Sequence, residues 1–263
     1  MKPLLYSLML IVLPCSACKK EEKSSEKNSA LKLATEQAAK ATSSILATTI
    51  QFSGYTWNVK HTGSSTMGPG PNYWNQANVW VDGNGYLHLR LNWNATAGRW
   101  ECAEVVSTQT FGNGTYQWQI DGPVNALDRN VVLGFFNYNG VDGLHEMDIE
   151  FARWGIQSNN PLNYTVYPTS SSQPTYHYTT NFSMSGTLTT HRFKRTNNAV
   201  VFKSLGGHYD NDTNLFATAT CQSPYSVSNL SMPIHMNLWL FQGNPPSNSG
   251  NVEIIVRNFK FTP

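Results

Sequence analysis

The sequence predicts an all-β fold, an antiparallel β-sandwich, and three observations carry that prediction. From Gln51 to the C-terminus no convincing helical periodicity occurs; short alternating or β-branched runs recur instead. Those runs are bounded by Gly, Pro, Asn and Asp, the residues that turns require. All eight tryptophans also fall in this part, and its length of roughly 210 residues suits one large sandwich core.

Taken in order, Asn78–Val81 and Tyr86–Leu91 flank Asp82-Gly83-Asn84-Gly85 and read as a hairpin. Thr115–Ile120 alternates and stops at Asp121-Gly122-Pro123. Val131–Phe136 is wholly apolar, which predicts burial on both faces. An acidic strand follows the turn Asn139–Gly143. Later strands are read at Asn163–Val166, Arg192–Lys194, Ala199–Lys203, Ile234–Phe241 and Val252–Phe261.

The N-terminal residues are set apart from this domain. A basic start and the apolar run Leu4–Pro14 lead to Cys15-Ser16-Ala17-Cys18, a pattern similar to a bacterial lipoprotein signal over residues 1–17 with Cys18 as the lipidated residue. Residues 18–50 are polar and of mixed charge, without aromatics, and read as a flexible tether. The domain is then 51–263. The expected location is the cell envelope, on the outer membrane surface through the lipid anchor, with ordinary secretion as the alternative.

From Gln51 onward the chain carries 11 Lys+Arg and 12 Asp+Glu, net −1. A near-neutral domain without a basic stripe argues against nucleic acid and suits a neutral partner. A monomer is expected. Outside the leader only Cys102 and Cys221 remain; in an exported protein they are either a disulfide or two buried free thiols.

The most informative segment is Glu146-Met147-Asp148-Ile149-Glu150-Phe151. On a strand, alternate side chains share a face, so Glu146, Asp148 and Glu150 point one way and the apolar residues the other. Three adjacent carboxylates without a cation among them push at least one pKa upward. That arrangement suits a pair in which one carboxyl stays protonated beside an ionised one, the requirement of glycoside hydrolysis. A Ca²⁺ site is the competing reading, though such sites usually recruit carbonyls from irregular loops.

Glu-x-Asp-x-Glu on one strand resembles the catalytic signature of glycoside hydrolase family 16. Glu101–Glu104 followed by Phe111-Gly112-Asn113-Gly114-Thr115-Tyr116, then Val132–Tyr138, then Met236-Asn237-Leu238-Trp239 fall in the order found in bacterial lichenases. The resemblance implies a concanavalin A-like jelly-roll sandwich with a concave sugar cleft. It implies Glu146 as nucleophile, Glu150 as acid/base, and Asp148 as the residue tuning them. Positions i and i+4 on a flat strand lie roughly 13 Å apart at Cα, whereas retention wants carboxyls about 5–5.5 Å apart. Retention is therefore implied by the family and not by the spacing.

The resemblance also places Glu104, Asn237 and Trp239 in the cleft, and Tyr73 and Trp74 in a loop that supplies sugar contacts. Trp154 shares strand parity with the acids and is read as a stacking platform. The chain departs from the lichenases at Val106, where they carry Arg, and at Arg195, where they carry Trp, which marks a separate branch. No cofactor or catalytic metal is expected. Family members often hold a structural Ca²⁺, but Asp82–Gly85 reads better as a plain turn. The activity so implied is endo-acting cleavage of internal β-linkages in a β-glucan or β-galactan. A transglycosylase with the same site and a non-catalytic glycan-binding lipoprotein are the alternatives.

Overall fold

The computed structural model describes residues 48–263. The signal read over 1–17, the lipidation site Cys18 and residues 18–47 of the tether lie outside the described residues.

Sixteen strands occupy the described part. The first eight are β1 (Thr48–Phe52), β2 (Tyr55–Val59), β3 (Val79–Val81), β4 (Leu87–Asn94), β5 (Arg99–Glu101), β6 (Ala103–Phe111), β7 (Gly114–Asp121) and β8 (Val131–Asn137). The rest are β9 (Met147–Phe151), β10 (Leu162–Val166), β11 (Tyr176–Thr180), β12 (Leu188–Arg195), β13 (Val200–Gly206), β14 (Leu215–Cys221), β15 (Met232–Leu240) and β16 (Val252–Thr262). Every run read as a strand from the sequence is one. The domain boundary shifts, because the cut at residue 50 falls inside β1. Ile50 pairs with Trp57 and Phe52 with Tyr55, and Phe52 is buried, so β1 belongs to the sheet.

Two antiparallel sheets form a jelly-roll sandwich. The front sheet runs β1-β2-β6-β15-β8-β9-β10-β11, and the rear sheet β14-β13-β12-β7-β16-β4-β3, with β5 paired to β4. Aromatic pairs close the space between them. Trp118 of the rear sheet stacks on Phe135 of the front at 5.5 Å. Trp57 meets Phe259 at 5.5 Å, and Tyr164 stacks on Phe202 at 4.8 Å. Ring pairs at such distances add to the burial of their large apolar area.

The acidic strand is fixed by this core. Met147, Ile149 and Phe151 are fully buried, and Phe151 meets His191 of the rear sheet edge-on at 4.7 Å. With that face committed inward, Asp148 and Glu150 must face away from the sandwich.

Cys102 and Cys221 are free buried thiols, not a disulfide. Cys102 follows β5, beside β4, where its thiol faces the Asn72 side-chain oxygen at 3.4 Å. Cys221 ends β14, the opposite edge strand of the rear sheet, and β14 and β4 are separated by four intervening strands. At about 4.8 Å per strand spacing the two sulfurs lie far beyond bonding reach.

Arg195, where the lichenases carry Trp, is buried with its guanidinium 6.0 Å from the Tyr116 ring centroid and one N–H donated to the Phe111 carbonyl at 3.2 Å. The hydrogen bond ties β12 to the end of β6.

Candidate active site

The outer face of the front sheet carries a row of side chains across five strands. Register places Glu104 opposite Asn237, Asn237 opposite Gly134, Gly134 opposite Glu150 and Glu150 opposite Asn163. The next row runs Val106, His235, Phe136, Asp148 and Thr165. Glu146 stands just before β9, after His145, whose φ of 56° turns the chain into the strand. Its carbonyl accepts the Tyr167 N–H at 2.8 Å.

These residues line one cleft of about 640 Å³. Glu146, Asp148 and Glu150 form its acidic wall, and Glu104, Trp154, Asn237 and Trp239 also face it. The apolar run Val131–Phe136 predicts burial on both faces; instead its outer face reaches the cleft at Phe136, which is only partly buried.

Burial sets the electrostatics. Desolvation raises Glu150 to about 8, with a further push from the Glu146 charge. Desolvation also raises Glu146, to about 7, but a hydrogen bond from Asp148 pulls against it, while Asp142 and Glu104 add repulsion. Asp148 is raised well above the usual carboxylate range by burial and by the charges of Glu146 and Glu150. Asp148 is therefore a protonated donor to Glu146. All three carboxyls of the wall thus hold their protons more tightly than ordinary carboxylates, with burial the largest cause at each.

Glu104 has a different environment. Burial alone would raise it, yet Lys60 and His235 hold it at about 2. The Lys60 ammonium lies 2.8 Å from one carboxylate oxygen and His235 Nδ1 lies 3.0 Å from the other. Lys60 thus supplies a cation to Glu104 in a chain that has Val106 where the lichenases carry Arg. The same ammonium donates to the Gly68 carbonyl at 2.7 Å, tying the Met67–Gly70 rim to the cleft.

Trp74 departs from its expected role. It is 1% exposed, its indole N–H donates to the Met67 carbonyl at 2.8 Å, and its ring carries Lys60 at 4.0 Å. It is a core residue beneath the rim, because the bridge to Cys102 draws it inward. Tyr73 stacks under Arg99 at 4.2 Å and does not line the cleft; Met67, Gly68, Pro69 and Gly70 do so in its place. Trp154 does line it, but through a turn residue with φ 52° and not through strand parity, since β9 ends at Phe151. Its indole N–H donates to Asn163 at 3.3 Å.

Five further cleft residues are Lys60, Phe136, Tyr138, Tyr167 and His235. His235 is legible in retrospect, since it shares the period of two with Asn237 and Trp239. Lys60 has no sequence signal; the β2–β6 pairing brings it to Glu104. Asp82 is occupied by the N–H groups of Asn84 and Tyr86, both at 2.9 Å. Among the described residues no group of three or more His, Cys, Asp or Glu side chains is placed to hold a metal ion.

Solved structures share this architecture. A Bacillus licheniformis β-glucanase is 23% identical with a TM-score of 0.57, over 79% of this chain and 92% of that one. The chain has the β-glucanase fold. A glycoside hydrolase family 16 endo-glucanase from Bacteroides ovatus is 16% identical with a TM-score of 0.57, over 78% and 94%. An immunostimulatory antigen and pseudo β-1,3-glucanase of Mycobacterium tuberculosis is 18% identical with a TM-score of 0.58, over 79% and 91%. No protein-family model and no curated protein matches the sequence.

Proposed function

We propose that the chain is a divergent glycoside hydrolase of family 16 that cleaves internal β-linkages of a β-glucan or β-galactan with retention. One observation carries this reading: Glu146, Asp148 and Glu150 line one cleft, and burial raises the proton affinity of all three into the range where a carboxyl can give up or take a proton near neutral pH. The fold shared with β-glucanases supports it.

In the first step the ionised Glu146 attacks the anomeric carbon while Glu150 passes its proton to the departing glycosidic oxygen. Asp148 donates a hydrogen bond to Glu146 and keeps it aimed. Glu150, now a carboxylate, then takes a proton from water as that water attacks the anomeric carbon and releases Glu146. Trp154 and Trp239 offer ring faces for the apolar sides of sugars, and Asn237 and Glu104 offer acceptors to hydroxyls.

The decisive experiment is reducing-end release by residues 48–263 from lichenan, laminarin, xyloglucan, agarose and carrageenan, with Glu146→Gln beside it. Turnover of at least one glycan, abolished in the variant, is expected; unchanged turnover in Glu146→Gln sinks the reading. A non-catalytic glycan-binding role is the second reading, favoured by the pseudo-glucanase among the similar structures. It predicts binding without release from any of the five. A transglycosylase would differ only by forming longer products at high oligosaccharide concentration.

We place the enzyme at the cell surface, monomeric, tethered through a lipid on Cys18. Fatty-acid labelling of the full chain, lost in Cys18→Ala, tests the anchor.

A further inference from the structure

Trp154 lines three hollows, not one. It borders the carboxylate cleft, a smaller hollow of about 320 Å³ with Asn163, His177 and Thr179, and an open groove of about 690 Å³ with Arg129, Phe241, Gln242 and Asn244. Their directions differ. Asn163 and Thr179 pair across β10 and β11, so the second hollow prolongs the line of Glu104, Asn237 and Glu150 across the strands. The groove lies off that line, where β8 begins and where β9 and β15 end.

The groove is a built feature. Three loops are stitched together by Gly155 N–H to the Arg129 carbonyl and Phe241 N–H to the Asn130 carbonyl, both at 2.8 Å. Asn130 adds a side-chain bond to the Pro245 carbonyl at 2.7 Å. Trp154 and Gln242 both hold left-handed backbone, φ 52° and 55°, a conformation that non-glycine residues adopt only when their surroundings enforce it. Trp154 and Phe241 meet edge to face at 5.6 Å, giving an aromatic wall. Arg129, Gln242 and Asn244 line the groove with it, and their side chains have no hydrogen-bond partner among the described residues. An aromatic wall with a few polar groups is the composition of a small-ligand site, and the neighbouring Asp128 carboxylate offsets the Arg129 charge, so the groove suits a neutral ligand.

We infer that this groove receives a sugar branch, so that the enzyme acts on a glycan whose backbone carries neutral monosaccharide side units. The inference rests on the proposed glycanase reading. A linear backbone has a straight course across the strands past Trp154 and leaves the groove empty; a unit attached at the sugar beside Trp154 fills it.

The test is calorimetry with the full domain carrying Glu146→Gln. Ligands are cellotetraose against the xyloglucan heptasaccharide, and laminaritetraose against its 6-glucosylated form. In at least one pair the branched ligand is expected to bind about tenfold tighter, the worth of one or two net hydrogen bonds. Gln242→Gly with Asn244→Ala, which removes two polar groups without straining the turn, should bring that ratio near one. Equal affinity within both pairs, binding of linear ligands alone, or a ratio that survives the double variant overturns the inference and leaves the glycanase reading standing. No binding of any ligand overturns the inference as well, while the glycanase reading is then decided separately by the reducing-end screen, which includes agarose and carrageenan.

Discussion

A Cβ placed on Gly134 would lie 2.6 Å from the side-chain oxygen of Asn237. The two residues are register partners on β8 and β15, and Glu150 is the partner of Gly134 on its other side. The glycine thus lets an amide lie flat between Glu104 and the acidic strand. Asn237 is 1% exposed, so its displaced amide has one direction to move, into the cleft. Gly134→Ala is expected to reduce kcat/KM about tenfold or more, since small displacements of positioning groups weigh heavily on rate. The stability loss should stay near 1 kcal/mol, the low end for overpacking. Paired kinetics and thermal melts check this; a fall in stability without a fall in rate would refute it.

Lys60 and Glu104 form a buried ion pair on the cleft floor. Glu104, held at about 2, contributes stability above the unfolded carboxylate range, and that contribution is lost as pH falls toward 2. Lys60→Met strands the carboxylate and is expected to destabilise by about 3 kcal/mol at neutral pH. Adding Glu104→Gln should restore part of the loss, the signature of coupling in a double-mutant cycle. Additive losses would mean that the pair is not coupled.

The two glutamates predict the pH profile. Glu146, at about 7, must be ionised, so activity rises with pH through that value. Glu150, at about 8, must be protonated, so activity falls above it. The limbs of the resulting bell belong to the coupled set. Asp148 acts as a protonated donor, and Asn can donate in its place. Asp148→Asn should therefore retain more activity than Asp148→Ala, by about tenfold or more. Equal losses in the two variants would remove Asp148 from this role.

Much of this was legible because a sandwich strand writes its two faces into alternate residues. Met147, Ile149 and Phe151 against Asp148 and Glu150 gave the strand, its orientation and the acidic wall from one segment. β1, β2, β5, β6, β11 and β14 were not legible. β1, β11 and β14 are edge strands and β5 pairs only with β4; exposed and buried residues mix in them, as in Tyr176–Thr180, where none is fully buried. β2 lies next to the edge, and β6, though interior, has no clean alternation, with buried residues in its first half and exposed ones at Thr108–Thr110. Trp74 misled for a related reason: a tryptophan in a Gly/Pro loop looks the same whether it faces sugar or supports the loop from beneath. Lys60 was silent because its partner Glu104 lies 44 positions away in sequence. Such pairings arise only when β2 meets β6.

The acidic wall is bought with stability, and the sign of that trade is testable. Burial raises Glu150 from 4.5 to about 8, so between those values the folded chain holds a proton that the unfolded chain releases. Stability therefore falls as pH rises through that window, and the loss is complete above about 8. Its ceiling is on the order of a few kcal/mol, at 1.36 kcal/mol per pKa unit. Glu150→Gln keeps the shape and removes the titration. Its melting temperature should exceed that of the parent by several degrees at pH 9, at roughly 2–4 °C per kcal/mol for a domain of this size, and by little at pH 5. An equal shift at both pH values would show that Glu150 stays solvated and does not carry the raised affinity that proton donation requires. The predicted divergence would mean that the proton donor is held by the fold at the expense of the fold, as stability–activity trade-offs at catalytic carboxyls require.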